Sequence, residues 1–298
     1  MKSFTLSTQV GELAANLYLP TNQSLPTNST EKAPLVIVTG AWTTVKEQMP
    51  AVYAKALSEQ GYAALTFDFR GWGQSPDATP YLEDPQRKTD DIRAVIAALT
   101  TGNGAGDVAE LNAVDTSRLY GIGVCASAGY MLDAVSGNAQ VQAAAVVAPW
   151  LHNPTIATAI YGGEESAAGL LAAAEADELV LMEAASTTNE GALMYQAPYY
   201  TEAGRGLIPE YDNQFNVASW TGWLNYDALA GAATQDKPVL MVASNAMALP
   251  DGAKAYLEQA SDNVTAVWLE DVTQFDFYDV AEHVATAAKA VAQHFNAH

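Results

Sequence analysis

Continuous runs of β-branched and aliphatic residues, separated by stretches of helical period, constrain this chain more than any other feature. Leu35-Val36-Ile37-Val38-Thr39 has no polar side, so both its faces must be buried, as in a parallel sheet. Comparable runs recur at Tyr62–Phe69, Val141–Ala148, Pro238–Ala243 and Val264–Leu269, and in the segment leading to Cys125. Between them the spacing predicts helices. One covers 46–60, with Met49, Val52, Tyr53 and Leu57 on one side and Gly61 past its end. A second covers 86–100 with Ile92, Val95, Ile96 and Leu99 apolar, and a last one covers 279–296 with Val280, Val284, Ala287, Val291 and Phe295 on one face. Phe4–Ser7 and Leu13–Leu19, turned around Gly11, read as an opening hairpin, and residues 20–34 as a polar loop. Strand and helix alternating at these lengths imply an α/β chain with a doubly wound, mostly parallel sheet.

Residues 151–235 break that rhythm, offering helices such as 164–185 but no core strand. They read as a helical cap inserted into a core made of 1–150 and 236–298, placed over the carboxyl edge where open α/β sheets bind ligands. Trp150, Tyr161, Tyr195, Tyr199, Tyr200, Trp220 and Trp223 supply aromatic surface for a pocket.

Composition excludes several classes. With 49% hydrophobic and 16% charged residues, the 298-residue chain is globular. A net charge of −21 argues against nucleic acid and anionic membranes as partners. The single cysteine forbids an internal disulfide. The N-terminus lacks a signal-peptide pattern, and no apolar stretch reaches the roughly 20 residues of a membrane helix, so a cytoplasmic setting is expected. Four dispersed histidines and one cysteine make no zinc site, and no cofactor is called for. A homodimer is compatible with the sequence.

The chemistry concentrates in GIGVCASAGY, residues 121–130. A small-x-nucleophile-x-small turn between strand and helix is the mark of acyl-transfer enzymes. Two frames fit. In one, Cys125 is flanked by Gly123 and Ser127; in the other, Ser127 is flanked by Cys125 and Gly129. The first has the smaller flanking residues and the shorter strand, so Cys125 is the preferred nucleophile. A thiol at a helix N-terminus is expected to have its thiolate favoured by the dipole.

With these residues in place, the chain resembles the α/β-hydrolase superfamily over nearly its whole length. Val45-Lys46-Glu47-Gln48, Asp68-Phe69-Arg70-Gly71-Trp72-Gly73-Gln74-Ser75 and Tyr81-Leu82-Glu83-Asp84-Pro85 resemble its dienelactone-hydrolase-like branch, which includes fungal polyketide transferases and often carries a cysteine nucleophile. The resemblance implies an oxyanion hole built from the amide of Ala126 and that of Trp42 or Thr43, with Asp68 and Arg70 bracing a loop.

The same resemblance calls for Thr-His-x-Asp-x-Tyr-Asp after the last strand; this chain reads Thr273-Gln274-Phe275-Asp276-Phe277-Tyr278-Asp279. Glutamine occupies the histidine position, and the acid loop, Ser244-Asn245-Ala246-Met247, carries no carboxylate. His152, directly after a core strand, is the histidine that sequence places nearest Cys125. Glu47 and Asp276 are the carboxylates that could assist, Ser127 and Asn245 could support, and Gln274 could orient a carbonyl or a water. The expected function is hydrolysis of a small ester, lactone or thioester through Cys125; the alternatives are an acyltransferase and a silent hydrolase fold that binds an apolar ligand.

Overall fold

The buried runs pair side by side as their two apolar faces require. The computed structural model describes residues 1–20, 32–102, 108–176 and 178–298. In chain order the core opens with β1 (Lys2–Thr8), β2 (Gly11–Tyr18), β3 (Ala33–Thr39), α1 (Met49–Glu59), β4 (Ala63–Phe67) and α2 (Pro85–Thr101). It continues with β5 (Val114–Val124), α3 (Ser127–Val135) and β6 (Val141–Val147). Next come α4 (Pro154–Ile160), α5 (Glu164–Ala174), β7 (Leu181–Glu183), β8 (Ala185–Ser186), β9 (Met194–Tyr195), α6 (Pro198–Thr201), β10 (Gln214–Asn216) and α7 (Ser219–Asn225). The chain closes with β11 (Val239–Ser244), α8 (Pro250–Gln259), β12 (Val264–Leu269), α9 (Asp276–Asp279) and α10 (Ala281–Asn296).

Eight strands form one sheet in the order β1-β2-β4-β3-β5-β6-β11-β12. β2 runs antiparallel to both its neighbours, and every other pair beyond it is parallel. The order reverses beside β3, so the ends of β3 and β5 open at the switch point, where α/β sheets hold ligands.

Among the described residues the segment between β6 and β11 adds no strand to this sheet; its short strands form two two-stranded ribbons. The helix expected over 164–185 stops at Ala174, because Leu181–Glu183 gives its backbone to an antiparallel ladder with Gln214–Asn216. The helix expected over 46–60 starts only at Met49, with Pro50 in its first turn. The polar loop expected over 20–34 lies mostly outside the described residues.

A fully buried carboxylate ties four of these pieces together. Glu83 Oε2 accepts from Lys88 Nζ (2.7 Å) and from the Thr43 amide (2.9 Å), and its Oε1 accepts from the Tyr130 hydroxyl (3.0 Å). Its own amide donates to Ser219 Oγ at 2.8 Å, reaching α7. Lys88 is sealed over the Trp72 and Phe69 rings, 4.6 and 4.7 Å from their centroids. Breaking one half of such a pair strands a charge in the interior. Lys88→Met is therefore expected to lose about 3–5 kcal/mol in urea unfolding. A loss of well under 1 kcal/mol would refute the pair's role.

Candidate active site

The turn from β5 into α3 is strained where the elbow frame requires it. Cys125 has φ +59, a left-handed conformation that costs a residue with a Cβ about 1–2 kcal/mol. Its amide donates to Val147 O at 3.0 Å, and its carbonyl accepts from Ala128 N and Trp150 N at 3.1 and 3.0 Å, which hold the turn against relaxation. Gly123 is needed close by: a Cβ there would strike the Ser127 carbonyl and sit 2.8 Å from Ala128 Cα. The Ser127 hydroxyl is fully buried and bonds back to the strand, accepting from Val124 N and donating to Val124 O, both at 3.2 Å. Of the two candidate side chains it is Cys125 that faces the cavity.

That cavity, open to solvent on one side, has a volume of about 470 Å³. Cys125, Ala126, Gln274 and Tyr278 meet there with Trp42, Trp150, Tyr161, Tyr200, Trp223 and Phe275, and among the described residues no charged side chain lines it. Four of the seven aromatic residues expected at a pocket are thus present. Of the others, Tyr195 is exposed, Tyr199 packs against Phe275 and Tyr278, and Trp220 packs edge-on to Trp42.

Burial pushes the Cys125 thiol up to about 11, although the Tyr278 hydroxyl and the amides of Ala126 and Trp42 are directed at its sulfur and favour the thiolate. The activated thiolate expected at a helix N-terminus is therefore not what this surrounding makes. Loss of solvation outweighs the donors. Of the two amides considered beside Ala126, Trp42 faces the sulfur, whereas that of Thr43 is spent on Glu83.

Gln274 stands at the centre of a fixed chain of donors. Its Oε1 accepts from Ala248 N (3.0 Å), and its Nε2 donates to Ala148 O (2.9 Å) and to the Tyr278 hydroxyl (2.9 Å). The backbone partners settle which end of the amide is which: only an oxygen can take the Ala248 N–H, and only a nitrogen can serve the Ala148 carbonyl. Accepting from Gln274, the Tyr278 hydroxyl keeps its own proton available to the Cys125 thiolate, which it favours.

A model of the dienelactone hydrolase family matches residues 19–224. The chain belongs to the dienelactone hydrolase family. Uncharacterized protein YcjY of Escherichia coli K12 is 27% identical over 266 residues, 84% of either chain. The solved structure of hypothetical protein PA2218 from Pseudomonas aeruginosa superposes with a TM-score of 0.80 at 20% identity, covering 100% of this chain and 93% of that one. The α/β hydrolase GrgF from Penicillium sp. superposes at 0.76 with 17% identity, covering 100% and 98%. The fold is that of the α/β hydrolases.

The dienelactone hydrolase match ends before β11, so the loops carrying Asn245 and Gln274 lie beyond it. The remaining expected site residues are placed away from the sulfur or already engaged. His152 is not positioned as its base: Nδ1 accepts from Trp150 Nε1 at 3.1 Å, which leaves the proton on Nε2, 2.8 Å from the Trp223 carbonyl that accepts it. Burial lowers its basicity further. Glu47 faces away, bonded to Lys46 at 2.8 Å and to Asn16 at 3.3 Å. Asp276 is held by the Thr273 amide and hydroxyl at 2.9 and 2.6 Å, and Asn245 is exposed outside the cavity. Asp68 and Arg70 brace their loop, Asp68 through Lys46 and Arg70 through Asp91.

The residue that sequence reading passed over is Tyr278. It stands four residues after Gln274 in the very string that showed the missing histidine, and that i,i+4 spacing was its signal. Among the described residues no His/Cys/Asp/Glu cluster is arranged to hold a metal, and no helix is long and apolar enough to cross a membrane.

Only the thiolate reacts readily with alkylating agents. The rate of Cys125 carbamidomethylation, read by intact mass, is expected to rise about tenfold per pH unit from pH 7 to pH 10 without levelling. A plateau below pH 9 would contradict the buried thiol.

Proposed function

We propose that this protein is an acyl-transfer hydrolase that takes uncharged esters, lactones or thioesters with an apolar acyl group, through Cys125. One observation carries the reading: a sulfur on a strained strand-to-helix turn faces an apolar cavity with two backbone amides directed at it. Family membership supports a hydrolase, and the uncharged aromatic lining supports an uncharged acyl group, because an ion inside would go unpaired. The chain's own charge of −21 also repels anionic substrates.

The sulfur attacks the carbonyl carbon, a C–S bond forms, and the carbonyl π pair moves onto oxygen. The amides of Ala126 and Trp42 receive that oxyanion; one such donor is worth about 10²–10³ in rate. Collapse restores the carbonyl and expels the leaving group, which departs with the thiol proton. Tyr278 steadies the sulfur by hydrogen bonding while charge develops there. Hydrolysis of the resulting thioester is slow, since no imidazole is placed to activate water, and general-base help is worth about 10²–10⁴-fold. Acyl transfer to an amine or thiol is the second reading, and the engaged Gln274 amide favours it: an acceptor more nucleophilic than water needs less help from a base.

Two outcomes test this. Brief exposure to p-nitrophenyl butyrate should add one butyryl group to the intact protein at Cys125. Cys125→Ala should abolish the adduct and Ser127→Ala should retain it; the reverse pattern would defeat the assignment. A histidine at 274 would meet the Ala248 N–H with one ring nitrogen, leaving the proton on the other, the wrong tautomer for a base. Gln274→His alone should therefore raise turnover less than about tenfold, and Gln274→His with Ala246→Asp by about 10²–10⁴. Full gain from the single change would show that the acid loop is not what sets the tautomer.

A further inference from the structure

His152 is only 1% exposed, and both of its ring nitrogens are spent on tryptophans that line the Cys125 cavity. The Trp150 indole donates to Nδ1 at 3.1 Å, and Nε2 donates to the Trp223 carbonyl at 2.8 Å. The ring also packs on the Trp223 indole, with centroids 4.5 Å apart. Trp150 lies just beyond β6, where its amide donates to the Cys125 carbonyl. Trp223 belongs to α7 and stacks on Trp42, 4.8 Å away. One imidazole thus bridges the sheet edge to α7. The Trp223 indole is held separately, since Tyr161 accepts from its Nε1 at 2.8 Å; for the Trp150 indole the acceptor is His152.

Building on the reading that this cavity receives an apolar acyl donor, we infer that His152 is a positioning residue for substrate binding: its neutral ring fastens Trp150 to α7 and so fixes the aromatic wall against which the donor packs, and protonation of the ring releases that wall. A side chain in this place must accept from an indole and donate to a carbonyl at once, and neutral imidazole does both. Imidazolium has two donors and no acceptor. Its Nδ1–H would face the Trp150 N–H, donor against donor, and the indole would turn away. The Trp223 carbonyl keeps its bond in either state, so the release is confined to Trp150. Surrounding groups set where this happens. Burial disfavours the imidazolium and outweighs the Asp227 carboxylate, two residues past α7, which favours it. Tyr226 meets the ring edge-on at 5.7 Å and donates to Asp133 of α3 at 2.7 Å, whose charge Arg93 of α2 offsets. From the end of α4 comes the Tyr161 phenol, bound to the Trp223 indole. The wall is therefore held at neutral pH and released only as pH falls below the ordinary histidine value of about 6.5.

Three measurements on the full chain test this. In the ¹⁵N-labelled protein the Trp150 indole N–H resonance, identified by its loss in Trp150→Phe, should hold its position from pH 8 to pH 7 and move upfield as pH falls to 5. In His152→Gln, whose carboxamide also accepts and donates but does not titrate, it should stay in place. Butyrophenone, an uncharged ketone that cannot acylate the thiol, should bind the wild type about three- to tenfold more weakly at pH 5 than at pH 8, the worth of one hydrogen bond, and His152→Gln equally at both. With p-nitrophenyl butyrate at pH 8, His152→Phe should raise the half-saturating concentration for Cys125 acylation by about three- to tenfold and change the limiting rate by less than about twofold. His152→Gln should restore the wild-type value. A Trp150 resonance that does not move in the wild type, no binding of butyrophenone at pH 8, the same pH dependence in His152→Gln, or a lower limiting rate at unchanged half-saturation would each overturn the inference. Should a variant fail to fold, the wild type decides: one shared midpoint for the resonance and for butyrophenone binding supports the fastening, and separate midpoints overturn it. A wild type that is never acylated, yet shows a titrating Trp150 and pH-dependent ketone binding, loses the acyl-enzyme reading alone. An acylated wild type with an unmoving Trp150 loses the present inference alone.

Discussion

The left-handed turn at Cys125 is the constraint around which the catalytic edge is arranged. A residue with a Cβ stays at φ +59 only when its surroundings forbid relaxation, and here neighbouring strands do so. Val147 on β6 takes the Cys125 amide, Trp150 just beyond β6 takes its carbonyl, and the glycine at 123 lets α3 press against the strand end. The strain is not isolated. Thr43 after β3 and Ala148 after β6 are also left-handed non-glycine residues, with φ +62 and +44. Three strand ends therefore carry bends whose effect is to turn backbone groups toward one space. Thr43 lets Glu83 hold the loop while Trp42 offers its amide, and Ala148 gives its carbonyl to Gln274.

Polarity at the acid loop explains why glutamine fits where the family pattern has histidine. A triad acid accepts a proton from the imidazole; here the loop presents Ala248 N–H, a donor. A group facing it must accept, and a carboxamide can do that while still donating from its other end. A loop that presents an N–H and a glutamine at 274 are thus mutually consistent. The consequence reaches the sulfur through Tyr278, so that the thiol is met by donors and by no acceptor strong enough to remove its proton.

The sheet was legible because it rests on local periodicity: a run such as Leu35–Thr39 tolerates water on neither face. The elbow was legible for a similar reason, as small residues at fixed spacing report steric crowding directly. What stayed hidden depends on partners remote in sequence. That the Thr43 amide is occupied is decided by Glu83, forty residues on. That His152 is no base is decided by Trp223 of α7 and by the Trp150 indole, although the position of His152 at the end of β6 was read from sequence. Helix-terminal activation of Cys125 was sound as a local rule, but burial of the sulfur outweighs it.

Burial of the thiol and persistence of an acylated thiol have the same origin. Burial that withholds solvation from the Cys125 sulfur would also leave a thioester formed on it without help from the site, since Gln274 offers no free acceptor to activate a water. On the proposed reading, acylation has an advantage, because the donor brings into the cavity a leaving-group oxygen that can take up the thiol proton. Deacylation by water lacks that advantage: the attacking oxygen must shed a proton in a place with no base. On the proposed reading, such an asymmetry would make an acyl-enzyme the resting species and hand the choice of acceptor to whatever nucleophile the aromatic cavity admits.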